Sequence, residues 1–264
     1  MPTMTIDGVS TSVPAGATIL DAASAIGVWI PTLCHHPAVA PTGTCRLCMV
    51  ELDRGDWTQL VTACNYPVRR DLTVSVSSAR AVEARRGVME LLLARAPDCE
   101  PLRALARRMG VERTTFPTLT SAEGDCLLCG LCTAICEEVI GRAAIAFAGR
   151  GPTRVVATPF DEPAEACIGC GACAAVCPVG AISLAFHEET DDIEVLPFGN
   201  RAKLLRCERC GERVVTAAVA DAAEARGKID SQKLRRLSRL CSRCRRAETV
   251  AALAPVAGGR SRDP

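Results

Sequence analysis

Cys126, Cys129, Cys132 and Cys136 stand at C-x2-C-x2-C-x3-C spacing, and Cys167, Cys170, Cys173 and Cys177 repeat it, with Pro178 next in line. Three thiolates set two residues apart on a tight glycine-containing loop can converge on one iron–sulfur cube. In paired runs of this kind the fourth Cys of each run ligates the other cluster. The spacing therefore predicts one [4Fe–4S] cluster on Cys126, Cys129, Cys132 and Cys177. A second is predicted on Cys167, Cys170, Cys173 and Cys136. Four disulfides or two zinc sites are the plainer alternatives. Zinc sites favour separate C-x2-C knuckles, and a third Cys only two residues further on does not suit them.

A different pattern occupies the first quarter. Cys34, Cys45, Cys48 and Cys64 read C-x10-C-x2-C-x15-C. A loop with three ligands and a distant fourth is similar to the plant-type [2Fe–2S] plan, with a longer first interval. A zinc site is the alternative. Pro41, Thr42, Gly43 and Thr44 crowd the loop with small residues, which lets backbone N–H groups approach cluster sulfurs and tune the potential. His35 and His36 adjoin Cys34 and are read as solvent-facing.

The elements that must position these thiols can be read around them. Thr3–Ile6 and Val9–Val13 flank Asp7-Gly8, a hairpin turn signal. Thr18 is placed to cap a helix over Ile19–Ile26 that Gly27 stops. Strands are predicted at Cys48–Leu52 and Trp57–Val61, and a closing strand at Leu72–Val76. Hairpin, helix, loop and strands suit a β-grasp sheet on one helix. Helical apolar spacing marks Val82–Arg95 and Leu102–Met109. Ala144–Phe147 and Thr153–Thr158 read as short strands between the two four-cysteine runs, with Ala181–Phe186 pairing near them. Gly149-Arg150-Gly151 reads as a turn.

The segment Ile30-Pro31-Thr32-Leu33-Cys34-His35-His36-Pro37, followed by Thr44-Cys45-Arg46-Leu47-Cys48-Met49-Val50-Glu51, resembles the N-terminal domain of the large G-type iron–sulfur subunit of NADH dehydrogenase (complex I). It also resembles the iron–sulfur subunits of NAD-linked hydrogenases and formate dehydrogenases. Together with the two runs, the resemblance covers residues 3–190. It implies that Cys34, Cys45, Cys48 and Cys64 hold a [2Fe–2S] cluster. In that family a further cluster is held by His-x3-Cys-x2-Cys-x5-Cys. Aligned on Cys99, the corresponding positions here are Arg95, Cys99, Leu102 and Arg108. Three of the four ligands are absent, so Cys99 is expected to be an ordinary thiol in a helical spacer.

At the other end, Cys207-Glu208-Arg209-Cys210 and Cys241-Ser242-Arg243-Cys244 form two C-x2-C knuckles. Two knuckles make an S4 site typical of structural zinc; a third [4Fe–4S] cluster is the rival. Helices are predicted at Ala217–Arg226 and Ser231–Arg239. Arg235, Arg236, Arg239, Arg243, Arg245 and Arg246 are expected to form a docking face, and Gly258–Pro264 a disordered tail.

The 264-residue chain has 17 Cys and only 3% aromatic residues, so small modules knitted by metal are expected in place of one large core. The fold class is α+β, in four parts. These are a β-grasp [2Fe–2S] domain over 1–80, a helical spacer over 81–120, a two-[4Fe–4S] domain over 121–190, and a knuckle domain with a tail over 191–264. No secretion signal and no run of about eighteen apolar residues is evident, so the thiols are expected in a reducing cytoplasm without membrane insertion. From Arg201 onward sixteen Lys and Arg face seven Asp and Glu, a net of +9, and the preceding residues carry −8. That asymmetry suits docking on an acidic partner better than nucleic acid. No Gly-rich nucleotide motif, P-loop or Ser/His/Asp constellation is found. Asp125, Glu137 and Glu138 read as local charge beside the first run.

The expected function is an electron-transfer subunit without a catalytic site of its own. It would relay single electrons between a flavin/NAD-binding subunit and a catalytic oxidoreductase or ferredoxin partner. The alternatives are a redox-sensing protein whose basic C-terminus binds DNA, and reduction of a substrate at an exposed cluster.

Overall fold

A computed structural model describes residues 1–118, 125–226 and 231–257. The chain forms two compact units. One comprises Met1–Gly141, Phe147–Val156 and Cys173–Ala181; the other comprises Arg142–Ala146, Ala157–Ala172 and Ile182–Pro264.

The first unit begins with a five-stranded sheet. Its strands are β1 (Thr3–Ile6), β2 (Val9–Ser12), β3 (Met49–Asp53), β4 (Thr58–Thr62) and β5 (Leu72–Ser75), in the order β2-β1-β5-β3-β4. The β1–β2 hairpin turns on Asp7 and Gly8, both with positive φ. β5 inserts between β1 and β3 and runs parallel to β1. Alternation buries Met4 and Ile6 of β1, Val50 and Leu52 of β3, and Val74 of β5 on one face, against Ile19, Ala22 and Ala23 of helix α1 (Ile19–Ala25). Each large side chain so buried is worth about 1.5–3 kcal/mol. Thr18 closes a capping box with Asp21 at the start of α1, as its type predicts.

Two helices follow. α2 (Ala79–Arg95) starts three residues before the apolar spacing begins, because Ser78 Oγ accepts from the Ala81 N–H at 3.2 Å. α3 (Glu100–Arg108) likewise starts ahead of Leu102, with Pro101 in its first turn, where the missing N–H costs nothing. Arg85 is the one buried cation of α2. Its guanidinium donates to the Met49 carbonyl at 3.0 Å and to the Val76 carbonyl at 2.7 Å, tying α2 to the ends of β3 and β5.

The first four-cysteine run leads into the short helix α4 (Leu131–Ala134) and a π-helical turn over Ile135–Val139. Between the two runs, β6 (Ala146–Ala148) pairs with β7 (Val155–Ala157) as a two-stranded sheet. Gly149–Gly151 forms the turn, as expected. The expectation that Ala181–Phe186 pairs near these strands is corrected. β8 (Ser183–His187) instead pairs with β9 (Asp192–Leu196) in a four-stranded antiparallel sheet, with β10 (Asn200–Arg206) and β11 (Arg213–Thr216) beyond, in the order β11-β10-β9-β8. The alternating apolar positions Ile193 and Val195 carry that sheet's core side.

The second four-cysteine run includes the short helix α5 (Ala172–Ala175). The C-terminal helices are α6 (Ala217–Arg226), α7 (Ser231–Ser238) and α8 (Ser242–Ala257). Gly258–Pro264 lies outside the described residues.

Replacing Arg85 by Met should leave two buried carbonyls without donors and cost about 2–4 kcal/mol. A fall in the denaturant midpoint of the chain at unchanged iron content would register it; an unchanged midpoint would refute the role.

Candidate cluster sites

The thiols of Cys34, Cys45, Cys48 and Cys64 meet between the α1–β3 loop and the end of β4. Three of them are buried and Cys45 is half-buried. The loop can close on Cys64 because Gly43 has positive φ and passes Asn65 closely: a Cβ there would lie 2.7 Å from Asn65 Nδ2. Asn65 is itself held by Thr62 Oγ1. As thiols, these groups share protons by S–H···S hydrogen bonds. Cys34 is drawn down to about 2, first by hydrogen bonds from Cys45 and Cys64. Cys48 falls to about 7, led by its bond with Cys64, while Cys45 and Cys64 are pushed far up as the donors.

The loop also delivers backbone donors. The Cys45 N–H points at Cys34 Sγ from 3.3 Å, joined by that of Thr44. The N–H groups of Ala63 and Cys64 serve Cys48, and that of Leu47 serves Cys45. Such N–H···S bonds stabilise thiolate charge and raise the potential of a cluster held there. His36 departs from the solvent-facing expectation. It is half-buried, and its Nδ1 accepts from the Ala38 N–H at 3.2 Å, so it shapes the loop. His35 is also half-buried.

In the first unit, Cys126, Cys129 and Cys132 lie near Cys177. Burial pushes Cys129 up to about 11 and Cys132 up to about 12, and the charges of Cys126 and Cys177 add to both shifts. Cys34 also adds to the rise at Cys129, so the two sites lie within electrostatic reach of each other. The residues beside these thiols form one apolar cluster. Leu33 and Leu47 from the first site, Leu127 and Val179 from the second, and Met89, Leu93, Leu102 and Ala106 from α2 and α3 pack together.

The positions aligned with the family's additional cluster serve this packing instead. Leu102 is fully buried in the cluster, and Cys99 Sγ faces the Val179 carbonyl at 4.0 Å. Burial raises the Cys99 thiol, as an unreactive core group requires. Arg95 Nε donates to the Cys126 carbonyl at 2.8 Å, and the Arg108 guanidinium lies 3.9 Å from the Trp29 ring centre. Of the acidic groups beside the first run, Glu138 accepts from the Ala40 N–H at 3.0 Å.

In the second unit, the segment carrying Cys167 and Cys170 is seated on the β8–β11 sheet. A Cβ on Gly169, whose φ is positive, would lie 2.6 Å from Ala202 Cβ and 3.1 Å from Thr216 Cγ2. Thr216 Oγ1 donates to the Ile168 carbonyl at 2.6 Å, and Asn200 Nδ2 to that of Ala164 at 2.9 Å. Both are buried polar residues distant in sequence from the run; no spacing pattern marks them. Exposed Cys170 opens on a cavity walled by Phe186, Ile193 and Leu204. Cys136 and Cys173 belong to the first unit.

The Cys207–Cys210 knuckle forms the β10–β11 turn, and Cys241 and Cys244 open α8. The four sulfurs all lie within 4.8 Å of one another. Of the arginines read as a docking face, Arg236 pairs with Glu248 at 2.7 Å and Arg239 with Glu208 at 3.1 Å. Arg245 and Arg246 bond backbone carbonyls, and Arg243 bonds Cys210. These five spend donors on the chain itself; the Arg235 side chain lies outside the described residues.

Loops that gather thiols in dry pockets lined with backbone donors define an iron–sulfur protein of the ferredoxin kind. The 2Fe-2S iron-sulfur cluster binding domain family matches residues 1–79, and the 4Fe-4S binding domain family matches residues 163–183. NADPH-Fe(3+) oxidoreductase subunit alpha of Geobacter sulfurreducens is 34% identical over 204 residues, covering 69% of this chain and 24% of that protein. NADP-reducing hydrogenase subunit HndD of Solidesulfovibrio fructosivorans is 34% identical over 212 residues, covering 69% and 36%. The G-type subunit of the NADH-quinone oxidoreductase of Mycobacterium tuberculosis is 32% identical over 235 residues, covering 80% and 28%. The chain thus spans between about a quarter and a third of the length of these relatives. A chain of an NAD+-reducing [NiFe]-hydrogenase superposes with a TM-score of 0.54 at 25% identity, covering 88% of this chain and 98% of that one. The chain is a homologue of the G-type subunit of complex I and of subunits of NAD(P)-reducing hydrogenases.

Because Cys129 and Cys132 hold their protons far above the ordinary thiol value, the cluster-free folded chain keeps protons that its unfolded form gives up above about pH 9. The contribution of these two thiols to stability should be full at neutral pH and fall as pH rises from about 9 towards 12. Thermal unfolding of the reduced, cluster-free chain at about pH 7.5 and about pH 10 checks this. The Cys129→Ser, Cys132→Ser double variant should show a smaller fall between the two pH values, the remainder coming from Cys45 and Cys64, which are also pushed up; an equal fall in both chains would contradict it.

Proposed function

We propose that the chain is an iron–sulfur electron-transfer subunit of a multi-subunit NAD-linked oxidoreductase, a hydrogenase, formate dehydrogenase or related complex. It passes single electrons between a flavin/NAD-binding subunit and a catalytic oxidoreductase or ferredoxin partner, in the cytoplasm. The observation that most supports this is the apolar cluster in which Leu33, Leu47, Leu127 and Val179 meet. It holds two cysteine sites close enough for Cys34 to act on Cys129. Separate carriers would have no need of a shared core. The near-complete coverage of a hydrogenase chain gives further support.

In this reading Cys34, Cys45, Cys48 and Cys64 hold a [2Fe–2S] cluster in a β-grasp domain. Cys126, Cys129, Cys132 and Cys177 hold one [4Fe–4S] cluster. By its sequence pattern, the second takes Cys167, Cys170, Cys173 and Cys136. When bound, such clusters take up and release single electrons at potentials set by charge, burial and hydrogen bonds to sulfur. The chain's own residues do the rest. The thiols fix position, the N–H groups of Thr44, Cys45 and Ala63 set charge at the sulfurs, and Leu33, Leu47 and Leu127 keep water out. Arg95 steadies the loop at Cys126. Among the described residues no helix is long and apolar enough to cross a membrane, so contact with a membrane would come through partners. The relatives give no support to a redox-sensing, nucleic-acid-binding protein.

The chain assembled with its clusters should contain about ten iron atoms. The Cys126→Ser, Cys177→Ser double variant separates the crossed pairing from the uncrossed one. Crossed ligation removes one cube and leaves about six irons; uncrossed ligation removes both and leaves about two. EPR of the dithionite-reduced protein should then retain the [2Fe–2S] signal and one cube. For the relay itself, NADH should reduce the clusters only when a co-purifying flavin subunit is present. Reduction by NADH of the isolated chain, or no reduction in the complex, would overturn it.

A further inference from the structure

The fourth group of cysteines follows a different geometry. Cys207 and Cys210 bracket the turn from β10 to β11, where the Cys207 N–H donates to the Glu212 carbonyl at 2.7 Å and the Gly211 N–H to the Cys207 carbonyl at 2.9 Å. Cys241 precedes α8, and Cys244 sits in its first turn, with the Cys244 N–H directed at Cys241 Sγ from 3.4 Å. The two knuckles are fastened to each other by the Glu208 N–H on the Arg239 carbonyl at 3.1 Å. The side chains of the same two residues form an ion pair at 3.1 Å.

Every sulfur of this group lies within 4.8 Å of the other three, and Cys210 Sγ and Cys241 Sγ stand 3.6 Å apart. A single ion with metal–sulfur bonds of about 2.3 Å in tetrahedral array sets its sulfurs about 3.8 Å apart. A cube places a separate iron behind each thiolate, which holds the four sulfurs wider. The 3.6 Å contact is also far longer than a disulfide bond of about 2.05 Å.

The surroundings point the same way. The apolar cluster here consists of Cys207, Leu240, Cys241 and Cys244, with Val214 half-buried against it. Three of its four buried members are the thiols themselves, so hydrophobic burial alone supplies little cohesion. Four thiolates around a divalent ion leave a net charge of −2, and Arg243 places its guanidinium against Cys210 Sγ to offset part of it.

We propose that Cys207, Cys210, Cys241 and Cys244 hold one zinc ion in a closed tetrahedral site, which fixes the β10–β11 hairpin to the start of α8 and takes no part in electron transfer. Zinc has no redox chemistry and no geometric demand beyond the tetrahedron, and a closed S4 set leaves no position for substrate. Binding free energy at such a site is folding free energy. The zinc site would be the same whichever partners the chain serves.

Zinc and iron are measured by plasma emission on the full chain with its clusters assembled, unaltered and as the Cys210→Ser, Cys241→Ser variant. The unaltered chain should hold about one zinc beside its iron, and the variant should lose the zinc and keep the iron. Loss of about four irons in the variant would make the site a cube, and loss of one would make it mononuclear iron; either overturns the proposal. So would an unaltered chain with full iron and no zinc. Should the variant not accumulate, cobalt(II) exchange into the unaltered chain decides it. Thiolate-to-cobalt charge-transfer bands with tetrahedral d–d absorption support the site, and their absence refutes it. Limited proteolysis after zinc chelation should open the chain between the two knuckles while the iron content stays constant.

Discussion

Thiolate ligands contribute no cohesion of their own, and everything in the first unit follows from the need to bring them together in a dry place. Cys34, Cys45, Cys126 and Cys129 all sit on loops. Loops gain rigidity only when their intervening residues bury surface elsewhere. Here Leu33, Leu47 and Leu127 do so against Met89, Leu93, Leu102 and Ala106. Helices α2 and α3 are thus the hub of the unit. Arg85 ties that hub to the sheet through two carbonyls. One packed core holds side chains from both thiol sites, so the distance between them follows from packing.

The same packing explains what became of the family's additional cluster position. Leu102 is fully buried in the apolar cluster, and Cys99 is a buried core thiol beside Val179. Arg95 and Arg108 have turned their donors to a loop carbonyl and an indole face. The apolar side chains at these positions, Cys99 and Leu102, belong to the cluster that Leu33, Leu47, Leu127 and Val179 also join.

The second unit solves its problem by another route. Its sheet, β8–β11, offers a close-fitting seat on which Gly169 lies too near Ala202 and Thr216 for any side chain. Thr216 fastens the Ile168 carbonyl and also accepts from the Val219 N–H at the start of α6. Beyond β10 few large apolar side chains are buried among the described residues, and in the proposed reading the metal bound by the knuckles supplies the cohesion there. Several arginines of this region are held by ion pairs and carbonyls within the unit, which fixes their side chains while the net positive charge of the region stands.

Ligand spacing, turn signals and helix caps were legible because they are local. The C-x2-C-x2-C-x3-C runs, the Asp7-Gly8 turn and the Thr18 cap each act over a few residues, and the chain carries them in plain order. The two C-x2-C knuckles were legible as a ligand set that suits zinc, with a third cube as the rival, because spacing gives the count of ligands while the distance between sulfurs gives the size of what they enclose. The pairing of β8 with β9, the engagement of His36 and the reach of Thr216 to Ile168 were not legible. Each joins residues whose partner is chosen by tertiary packing, and several sequences of strand order satisfy the same alternation. The sequence by itself determined which thiols could ligate and in what numbers. Only the tertiary structure decided which of them meet, how far apart they stand and what keeps water away, because those depend on apolar side chains far along the chain arriving at the same point.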